Sequence, residues 1–311
     1  NAGGIRVLRY GLTRDYVLGL TVVTGSGELL KLNNGLVKNA SGLDFRHLMI
    51  GSEGILGIVV EAEIKLINQP PNQSVMLLAL SSLEAVMAVF AQARAALTLS
   101  SFEFFSDRSL KRVMAHREFD NPFEGLYPFY VLLEFDEDEA AAMDVFEQGM
   151  AAEHVTDGII AQSIEQGQQL WQYREGISES IAHFTPYKND ISVKISQVPA
   201  FMQQLEGVLA AEYPDFETIW FGHIGDGNLH LNILKPEGME TKEFKAQCEQ
   251  VNQHVYGLIQ KFEGSISAEH GVGLIKKPFL PYSKSTEEIK LMGEVKCVFD
   301  PNGVLNIGKV V

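Results

Sequence analysis

Two histidines close to a turn are the first candidates for chemistry in this sequence. Residues 223–230 have the sequence HIGDGNLH, and the GDGN segment between two apolar runs is typical of a hairpin turn. If residues 225–228 form the loop, His223 pairs with His230 and their Cβ atoms lie about 4.5–5.5 Å apart, with Asn232 on the same face. Two imidazoles so placed can bind one metal ion, although histidines on a strand pair can also be simply packed or solvated.

A second cluster supplies a carboxylate and another imidazole. Residues 267–273 have the sequence SAEHGVG, which places Glu269 and His270 between small residues. Two histidines and a glutamate form a three-ligand set that leaves a position open for substrate. We therefore expect Glu269 to bind the same cation as the histidine pair. His270 remains as a candidate general base, with a fourth ligand or an exposed loop residue as the alternatives.

Two basic residues could bind an anion. Arg174 lies in the helix-like segment WQYREGIS, and Lys188 lies in the segment PYKND. Arginine can bind a carboxylate through two parallel hydrogen bonds, and lysine adds a point charge. Either residue alone is more often a solvated surface residue, so the pattern by itself carries little weight.

Glycine-rich turns at 1–4 (NAGG) and 51–57 (GSEGILG) suit close approach of backbone amides to phosphates or to a planar ring. This signal is weak, because glycines in turns are usually only turns. No G-x-G-x-x-G follows a strand pattern, so a nicotinamide-binding Rossmann site is not supported.

The composition is that of an ordinary globular protein with an acidic surface. The 311 residues carry a formal net charge of −15, which disfavours nucleic acid and anionic lipid as partners. No run approaches the roughly 18 apolar residues that a membrane helix needs. The two cysteines form no disulfide framework, and we expect both to be reduced thiols.

The hydrophobic pattern predicts an α+β fold. A hairpin is predicted from 17–24 and 28–32, and a linker at 69–72 separates it from alternating strands and helices up to about residue 235. In that part we expect strands at 75–80, 99–105, 127–135, 156–164, 191–196 and 219–224, with helices at 83–96, 137–153 and 199–213. Further helices are expected at 240–263 and 285–299.

These motifs, in this order, resemble a known family. The chain is similar to the FAD-linked oxidases of the vanillyl-alcohol-oxidase type, in the branch with D-2-hydroxyglutarate dehydrogenase, D-lactate dehydrogenase and the glycolate oxidase flavin subunit. The resemblance extends over essentially the whole chain. It is carried by NAGG at 1–4 with RYG at 9–11, the 51–57 segment, the 223–230 block, EHG at 269–271, and the closing DP at 300–301 with Asn306 and GK at 308–309.

The resemblance implies roles for individual residues. His223, His230 and Glu269 are expected to bind a divalent metal, usually zinc, and His270 is expected to be the active-site base. The residues implied to hold the substrate are Arg174, Ser178, Lys188 and Asn232, with Ser178 where threonine is typical. The residues implied to contact FAD are Asn1, Ala2, Gly3, Gly4, Gly51, Ser52, Glu53, Gly54, Gly57, Ile58 and Asn306.

The resemblance also implies a domain division. Residues 1–69 correspond to the C-terminal part of a FAD-binding domain, 70–238 to a substrate domain with an antiparallel sheet and strand–helix–strand units, and 239–311 to a C-terminal helical segment that returns to the flavin site. Family members carry an upstream subdomain that wraps the FAD pyrophosphate, and the resemblance implies that this subdomain is not included in residues 1–311. We therefore expect the chain alone to bind FAD poorly and to be inactive. Any targeting segment would lie upstream of residue 1, so its absence from this sequence carries no information. We expect a cytoplasmic location if the protein is bacterial and the mitochondrial matrix if it is eukaryotic.

The implied activity is FAD- and metal-dependent oxidation of a small D-2-hydroxy acid. The two basic residues favour D-2-hydroxyglutarate, with D-lactate or glycolate as alternatives within the family. The electron acceptor stays open between an electron-transfer flavoprotein, a quinone and a cytochrome, and a homodimer is one of the assembly states considered. Outside the family, we weigh a metallohydrolase and a non-catalytic fragment.

Overall fold

The computed structural model describes residue 1 and residues 3–311, and the chain forms two compact units. The first unit consists of Asn1–Gly4, Gly11–Gln69 and Ile266–Val311. The second consists of Ile5–Tyr10 and Pro70–Ser265. Each unit has its own sheet, and the α+β fold class is confirmed.

The strands are β1 (Val17–Val23), β2 (Leu29–Leu32), β3 (Ile58–Ile64), β4 (Gln73–Leu80), β5 (Leu99–Ser106), β6 (Phe129–Asp136), β7 (Val155–Ile160), β8 (Tyr187–Ser192), β9 (Glu217–Gly222) and β10 (Asn228–Leu234). The α-helices are α1 (Val7–Tyr10), α2 (Arg46–Met49), α3 (Leu83–Ala96), α4 (Asp107–Arg117), α5 (Glu139–Ala151), α6 (Ile164–Glu175), α7 (Ile177–Ser180), α8 (Val198–Glu212), α9 (Thr241–Lys261) and α10 (Thr286–Phe299). Short 3-10 helices are Thr13–Asp15, Ala182–Phe184, Ile195–Gln197, Ile224–Asp226 and Lys277–Tyr282.

The first unit is built on a three-stranded antiparallel sheet with the order β2-β1-β3. The predicted hairpin is the β1–β2 pair, in which Leu20 lies opposite Leu32. Apolar side chains of β1 and of the segment before β3 pack with Phe299 at the end of α10 to form the core. The C-terminal part of the chain therefore completes the core of the first unit.

The second unit is built on a seven-stranded antiparallel sheet with the order β7-β4-β6-β5-β9-β10-β8. Helices cover both of its faces. On one face, Leu77, Phe105 and Ile219 pack against apolar residues of α4, α6 and α7. On the other, Phe90 of α3 packs on Phe102 with ring centroids 4.8 Å apart. We call the face covered by α4, α6 and α7 the site face, since the predicted substrate and histidine residues of this unit lie there.

Most predicted elements are confirmed within a few residues, including α3, whose N-cap Ser82 accepts a hydrogen bond from the amide of Ala85. No helix was predicted at α4 or in the first half of α6, and the strand expected at 156–164 is β7, which ends at Ile160. The strand expected at 191–196 is β8, Tyr187–Ser192, so its predicted bounds were wrong. Its first half is polar, and pairing with β10 outweighs that weak local signal.

The two cysteines are free thiols, with Cys248 buried and Cys297 exposed, as expected. Among the described residues, no helix combines the length and the apolar character that a membrane crossing requires.

Candidate functional site

The turn between β9 and β10 differs from the predicted hairpin. His230 lies opposite Phe221, and β9 ends at Gly222, so the predicted pairing of His223 with His230 is wrong. His223 instead precedes the 3-10 turn Ile224–Asp226. Glycines permit this longer turn: a Cβ at position 222 would lie 2.5 Å from the carbonyl oxygen of Asn228, and Gly227 has φ +83°.

The two histidines nevertheless lie side by side. Their ring centroids are 5.4 Å apart at an interplanar angle of 83°, and each offers a ring nitrogen within 4.8 Å of the other. His223 is buried and His230 is half-buried. The turn and the strand thus bring the two imidazoles within reach of one ion, by a geometry other than direct cross-strand pairing.

Glu103 of β5 contacts both His223 and a predicted substrate residue. Its Oε1 lies 2.7 Å from His223 Nδ1, and its Oε2 lies 2.7 Å from Arg174 Nη2. Glu103 is 1 % exposed. Because an ionised carboxylate only accepts hydrogen bonds, the contact assigns the proton of His223 to Nδ1 and leaves Nε2 as the nitrogen that can bind a metal.

His230 also has a carboxylate neighbour. It lies opposite Asp190 in the β8–β10 pair, and His230 Nδ1 is 3.7 Å from Asp190 Oδ1. The same Oδ1 accepts a hydrogen bond of 2.8 Å from Asn228 Nδ2, which orients the carboxylate. Carboxylates behind imidazoles are typical of histidines that bind metals, where they set the tautomer and orient the ring.

Phe221 lies next to both Arg174 and His230. The guanidinium carbon of Arg174 lies 4.8 Å from the ring centroid of Phe221, and that ring is 5.0 Å from the ring of His230. Arg174 is 8 % exposed, and within the described part of the chain its buried Nε has no hydrogen-bond partner. An unsatisfied buried N–H is costly, so this donor suits an anionic ligand.

The remaining predicted substrate residues lie on neighbouring elements of the site face. Asn232, which is buried, lies directly opposite Lys188, which is exposed. Ser178 is exposed on α7, four residues after Arg174 at the end of α6. The second unit thus contains all four residues predicted to hold the substrate, together with the histidine pair.

In the first unit, the predicted flavin residues of the two glycine-rich turns lie together. Arg14 donates its backbone N–H to Asn1 Oδ1 over 3.0 Å, and a Cβ at Gly51 would lie 3.4 Å from the Cβ of Asn1. Gly4 has φ +98° and open space where a Cβ would be. Gly3 is exposed and Ser52 is half-buried, whereas Ala2 lies outside the described residues.

Two other predicted flavin residues, Gly57 and Ile58, lie beside and within the three-stranded sheet. A Cβ at Gly57 would lie 2.3 Å from Val22 Cγ1, so tight packing against β1 requires glycine there. Ile58 begins β3, lies opposite Val23 and is 56 % exposed.

Glu53 connects the second glycine-rich turn to the segment after His270. Its Oε1 accepts a hydrogen bond from the amide of Val272 and its Oε2 accepts one from the amide of Gly273, both 2.8 Å. Asn306 Nδ2 donates to the backbone carbonyl of Glu53. Glu269 is half-buried and His270 is exposed in this segment. The predicted metal ligands thus divide between the units, with the histidine pair in the second unit and Glu269 in the first.

Sequence reasoning missed Glu103, Asp190 and Phe221. Glu103 had a signal, because it is a single charge inside the apolar strand LSSFEFFS, and a buried carboxylate requires a partner. Asp190 and Phe221 had no such signal, since their roles depend on which strands pair.

The chain is similar in sequence to a known protein family and to individual known proteins. The family model for the C-terminal domain of FAD linked oxidases matches residues 69–310. A D-2-hydroxyglutarate dehydrogenase from Xanthomonas citri pv. viticola is 56% identical over the whole chain, which covers 66% of that protein. One from Stutzerimonas stutzeri is 51% identical over the whole chain, which covers 68% of it. The chain thus spans about two thirds of the length of these relatives.

Solved structures show the same fold at low identity. A 4-ethylphenol oxidase from Gulosibacter chungangensis aligns with a TM-score of 0.67 and 13% identity, covering 97% of this chain and 67% of that protein. A p-cresol methylhydroxylase aligns with a TM-score of 0.67 and 11% identity, covering 95% of this chain and 65% of that protein. The family match covers most of the chain and confirms the resemblance. The chain belongs to the family of FAD linked oxidases and contains their C-terminal domain.

Proposed function

We propose that the protein to which this chain belongs oxidises a D-2-hydroxy acid, by preference D-2-hydroxyglutarate, to the 2-oxo acid with FAD and a divalent metal. The main observation that supports the proposal is the arrangement of residues on the site face of the second unit. There the histidine pair lies near a buried arginine whose Nε has no partner among the described residues. The relatives named D-2-hydroxyglutarate dehydrogenase support the substrate class.

The donor set fits a divalent metal such as zinc. His223 and His230 offer ring nitrogens within 4.8 Å of each other, and carboxylates lie beside both rings. Zinc sites with catalytic roles commonly have two histidines and a glutamate with one open position. We propose Glu269 as the third ligand.

The first unit fits one side of a flavin site. Gly4 and Gly51 have φ values of +98° and +87°, which residues with side chains rarely adopt. A Cβ atom added to either glycine would lie no closer than 3.4 Å to any residue other than its chain neighbours. Such backbone can approach a phosphate or a planar ring closely. We propose that the residues of the two glycine-rich turns, with Asn306, contact the FAD.

A flavin held by the two glycine-rich turns with Asn306 would supply the redox chemistry as a hydride acceptor, and a metal held by His223, His230 and Glu269 would supply Lewis-acid chemistry at the substrate hydroxyl. The residues of the chain do the rest. His270 accepts the hydroxyl proton as a general base. Arg174 and Lys188 bind carboxylate groups, while Ser178 and Asn232 donate hydrogen bonds that fix the orientation of the substrate. Turnover would also need an external electron acceptor, with an electron-transfer flavoprotein, a quinone and a cytochrome as the candidates.

A dicarboxylate is favoured over lactate because the site face carries two cationic side chains. Arg174 is already paired with Glu103 through Nη2, so its Nε and the ammonium group of Lys188 are the donors proposed for carboxylates. Losing one charged hydrogen bond costs about 1.5–3 kcal/mol, which is about 10- to 150-fold in binding. A relative named putative D-lactate dehydrogenase, from Schizosaccharomyces pombe, is 37% identical over 98% of the chain, and D-lactate is therefore the second substrate to compare.

The test uses the full-length, flavin-loaded protein. We expect kcat/KM to be highest for D-2-hydroxyglutarate, lower for D-malate and lowest for D-lactate. A chelator should abolish turnover, and zinc, manganese or cobalt should restore it. Equal rates for the three substrates would reject the dicarboxylate preference, and indifference to chelation would reject the metal. Hydrolytic activity without flavin would favour a metallohydrolase instead.

A further inference from the structure

Glu103 is a buried carboxylate to which neither the sequence motifs nor the proposed reaction assigns a role. It is 1 % exposed in the middle of β5, between Phe102 and Phe104, which are also buried. An ionised carboxylate in such a place is strongly disfavoured unless charged or hydrogen-bonding groups surround it. Its surroundings therefore indicate what it does.

The two oxygens of Glu103 contact two different parts of the proposed site. Oε1 lies 2.7 Å from Nδ1 of His223, which follows β9, and Oε2 lies 2.7 Å from Nη2 of Arg174, which is on α6. The proposed metal ligand and the proposed carboxylate anchor are 49 residues apart in the sequence and share this one partner. Both are at least 90 % buried, so water does not compete freely for these contacts.

A second buried glutamate of the same sheet has different partners, so burial in this sheet does not by itself lead to the contacts of Glu103. Glu134 of β6 is 5 % exposed on the same face, and it accepts hydrogen bonds from Arg6 Nε over 3.0 Å and from Trp171 Nε1 over 3.2 Å. Neither partner belongs to the proposed site. Glu134 thus resembles Glu103 in burial and in its arginine partner, but contacts no histidine in the described structure.

We infer that Glu103 is a positioning residue that holds His223 with Nε2 directed to the metal and, through its other oxygen, fixes the guanidinium of Arg174 for the substrate carboxylate. The inference deepens the proposed function and rests on it. The carboxylate requires the Nδ1–H tautomer of His223, which makes Nε2 the ligand atom. The other oxygen, Oε2, lies beside Nη2 of Arg174 as an ion pair that is not a hydrogen bond, and Nε of Arg174 has no partner in the described structure, so Nε is the donor proposed for a ligand.

The substitution Glu103→Gln tests this inference because it keeps the size of the side chain and removes one acceptor. The amide of glutamine can accept a hydrogen bond from His223 or face Arg174 with its oxygen, but it cannot do both. Loss of a carboxylate behind a metal-binding histidine typically costs 10- to 100-fold in metal affinity. Glu134→Gln is the matched control, since it removes a buried carboxylate of the same sheet face.

The experiment is a titration of the chain with zinc in competition with a chromophoric chelator, for the wild type, Glu103→Gln and Glu134→Gln, with circular dichroism to verify folding. We expect zinc affinity to fall about 10- to 100-fold in Glu103→Gln and to stay within about twofold in Glu134→Gln. If both variants bind zinc like the wild type, the inference is overturned while the proposed metal site stands. If the wild type binds no zinc, the metal site and the inference both fail.

A second measurement needs no substitution at Glu103. Nitrogen-15 NMR of histidine-labelled wild type, with the His223 signals assigned by comparison with His223→Gln, reports which ring nitrogen carries the proton in the metal-free chain. We expect the Nδ1–H tautomer for His223. Finding the Nε2–H tautomer would overturn the inference even if Glu103→Gln proved unable to fold.

Discussion

The carboxylate of Glu53 accepts a hydrogen bond of 2.8 Å from the backbone amide of Val272, 219 residues further along the chain. Its other oxygen accepts a second bond from the next amide, and Glu53 itself has φ +52°, which is unusual for a side-chain-bearing residue. Within the first unit, one side chain therefore holds together the glycine-rich turn and the segment that follows His270.

Replacing Glu53 with glutamine should loosen that segment. Glutamine keeps one acceptor and directs an NH₂ group at a backbone N–H, so we expect a loss of about 1.5–3 kcal/mol in the free energy of unfolding. Urea denaturation measures the loss, and hydrogen exchange should accelerate at the amides of Val272 and Gly273. Glu294→Gln, on the exposed side of α10, is the control expected to change neither. Unchanged exchange at those two amides would contradict the role of Glu53.

The Arg174–Glu103 pair predicts a specific pattern of stability. Arg174→Met removes the charge that faces Glu103 and leaves that carboxylate buried, so we expect destabilisation of about 3–5 kcal/mol. Arg174→Lys keeps the charge and should cost less. In the double variant Glu103→Gln/Arg174→Met, part of the loss should be recovered, because the unpaired charge is gone. Denaturation of the single and double variants gives the coupling energy, and strictly additive losses would argue against the pair.

His270→Asn should disable catalysis without affecting flavin content. General-base catalysis is typically worth about 10²–10⁴-fold, so we expect kcat of the full-length, flavin-loaded protein to fall by that factor. His254→Asn, at a half-buried position of α9 outside the proposed site, is the matched control and should retain full turnover. Visible absorbance checks that both variants hold flavin. Full turnover in His270→Asn would assign the base to another residue.

Asp136 should stabilise the second unit in a pH-dependent way. The hydrogen bond from Arg9 holds the pKa of Asp136 below its ordinary value. A carboxyl group with a lowered folded-state pKa stabilises the protein above its unfolded value, about 3.9, and loses that contribution as the pH falls through the folded value. The difference in unfolding free energy between wild type and Asp136→Asn should therefore shrink between pH 7 and pH 3. Asp144→Asn, at an exposed position, should show no such change.

The two cysteines should differ in reactivity. Burial raises the pKa of the Cys248 thiol to about 12, and only the thiolate is an effective nucleophile. At pH 8 a disulfide reagent such as DTNB should modify one thiol of the folded chain, Cys297, and both after unfolding. In Cys297→Ser the folded chain should not react. Rapid reaction of that variant would show that Cys248 is accessible in the native state.

Local patterns in the sequence were sufficient for much of the fold. The hairpin of β1 and β2 follows from its glycine turn, and α3 follows from its hydrophobic pattern. β8 was misplaced by four residues at its start because its polar first half carries no strand signal of its own. That half becomes a strand by pairing with β10. Long-range pairing, which depends on the partner strand, decided the boundary.

The sequence by itself determined which residue types are available for chemistry: two histidines beside a glycine turn, a glutamate–histidine pair, and an arginine and a lysine. Only the tertiary structure decided how these side chains are positioned relative to one another within each unit. The two imidazoles lie together although they are not cross-strand partners, because the chain between them forms a 3-10 turn and not a tight hairpin. Glu103 contacts both His223 and Arg174 because three segments separated in the chain converge on one sheet face, and that contact depends on packing, which local sequence does not encode.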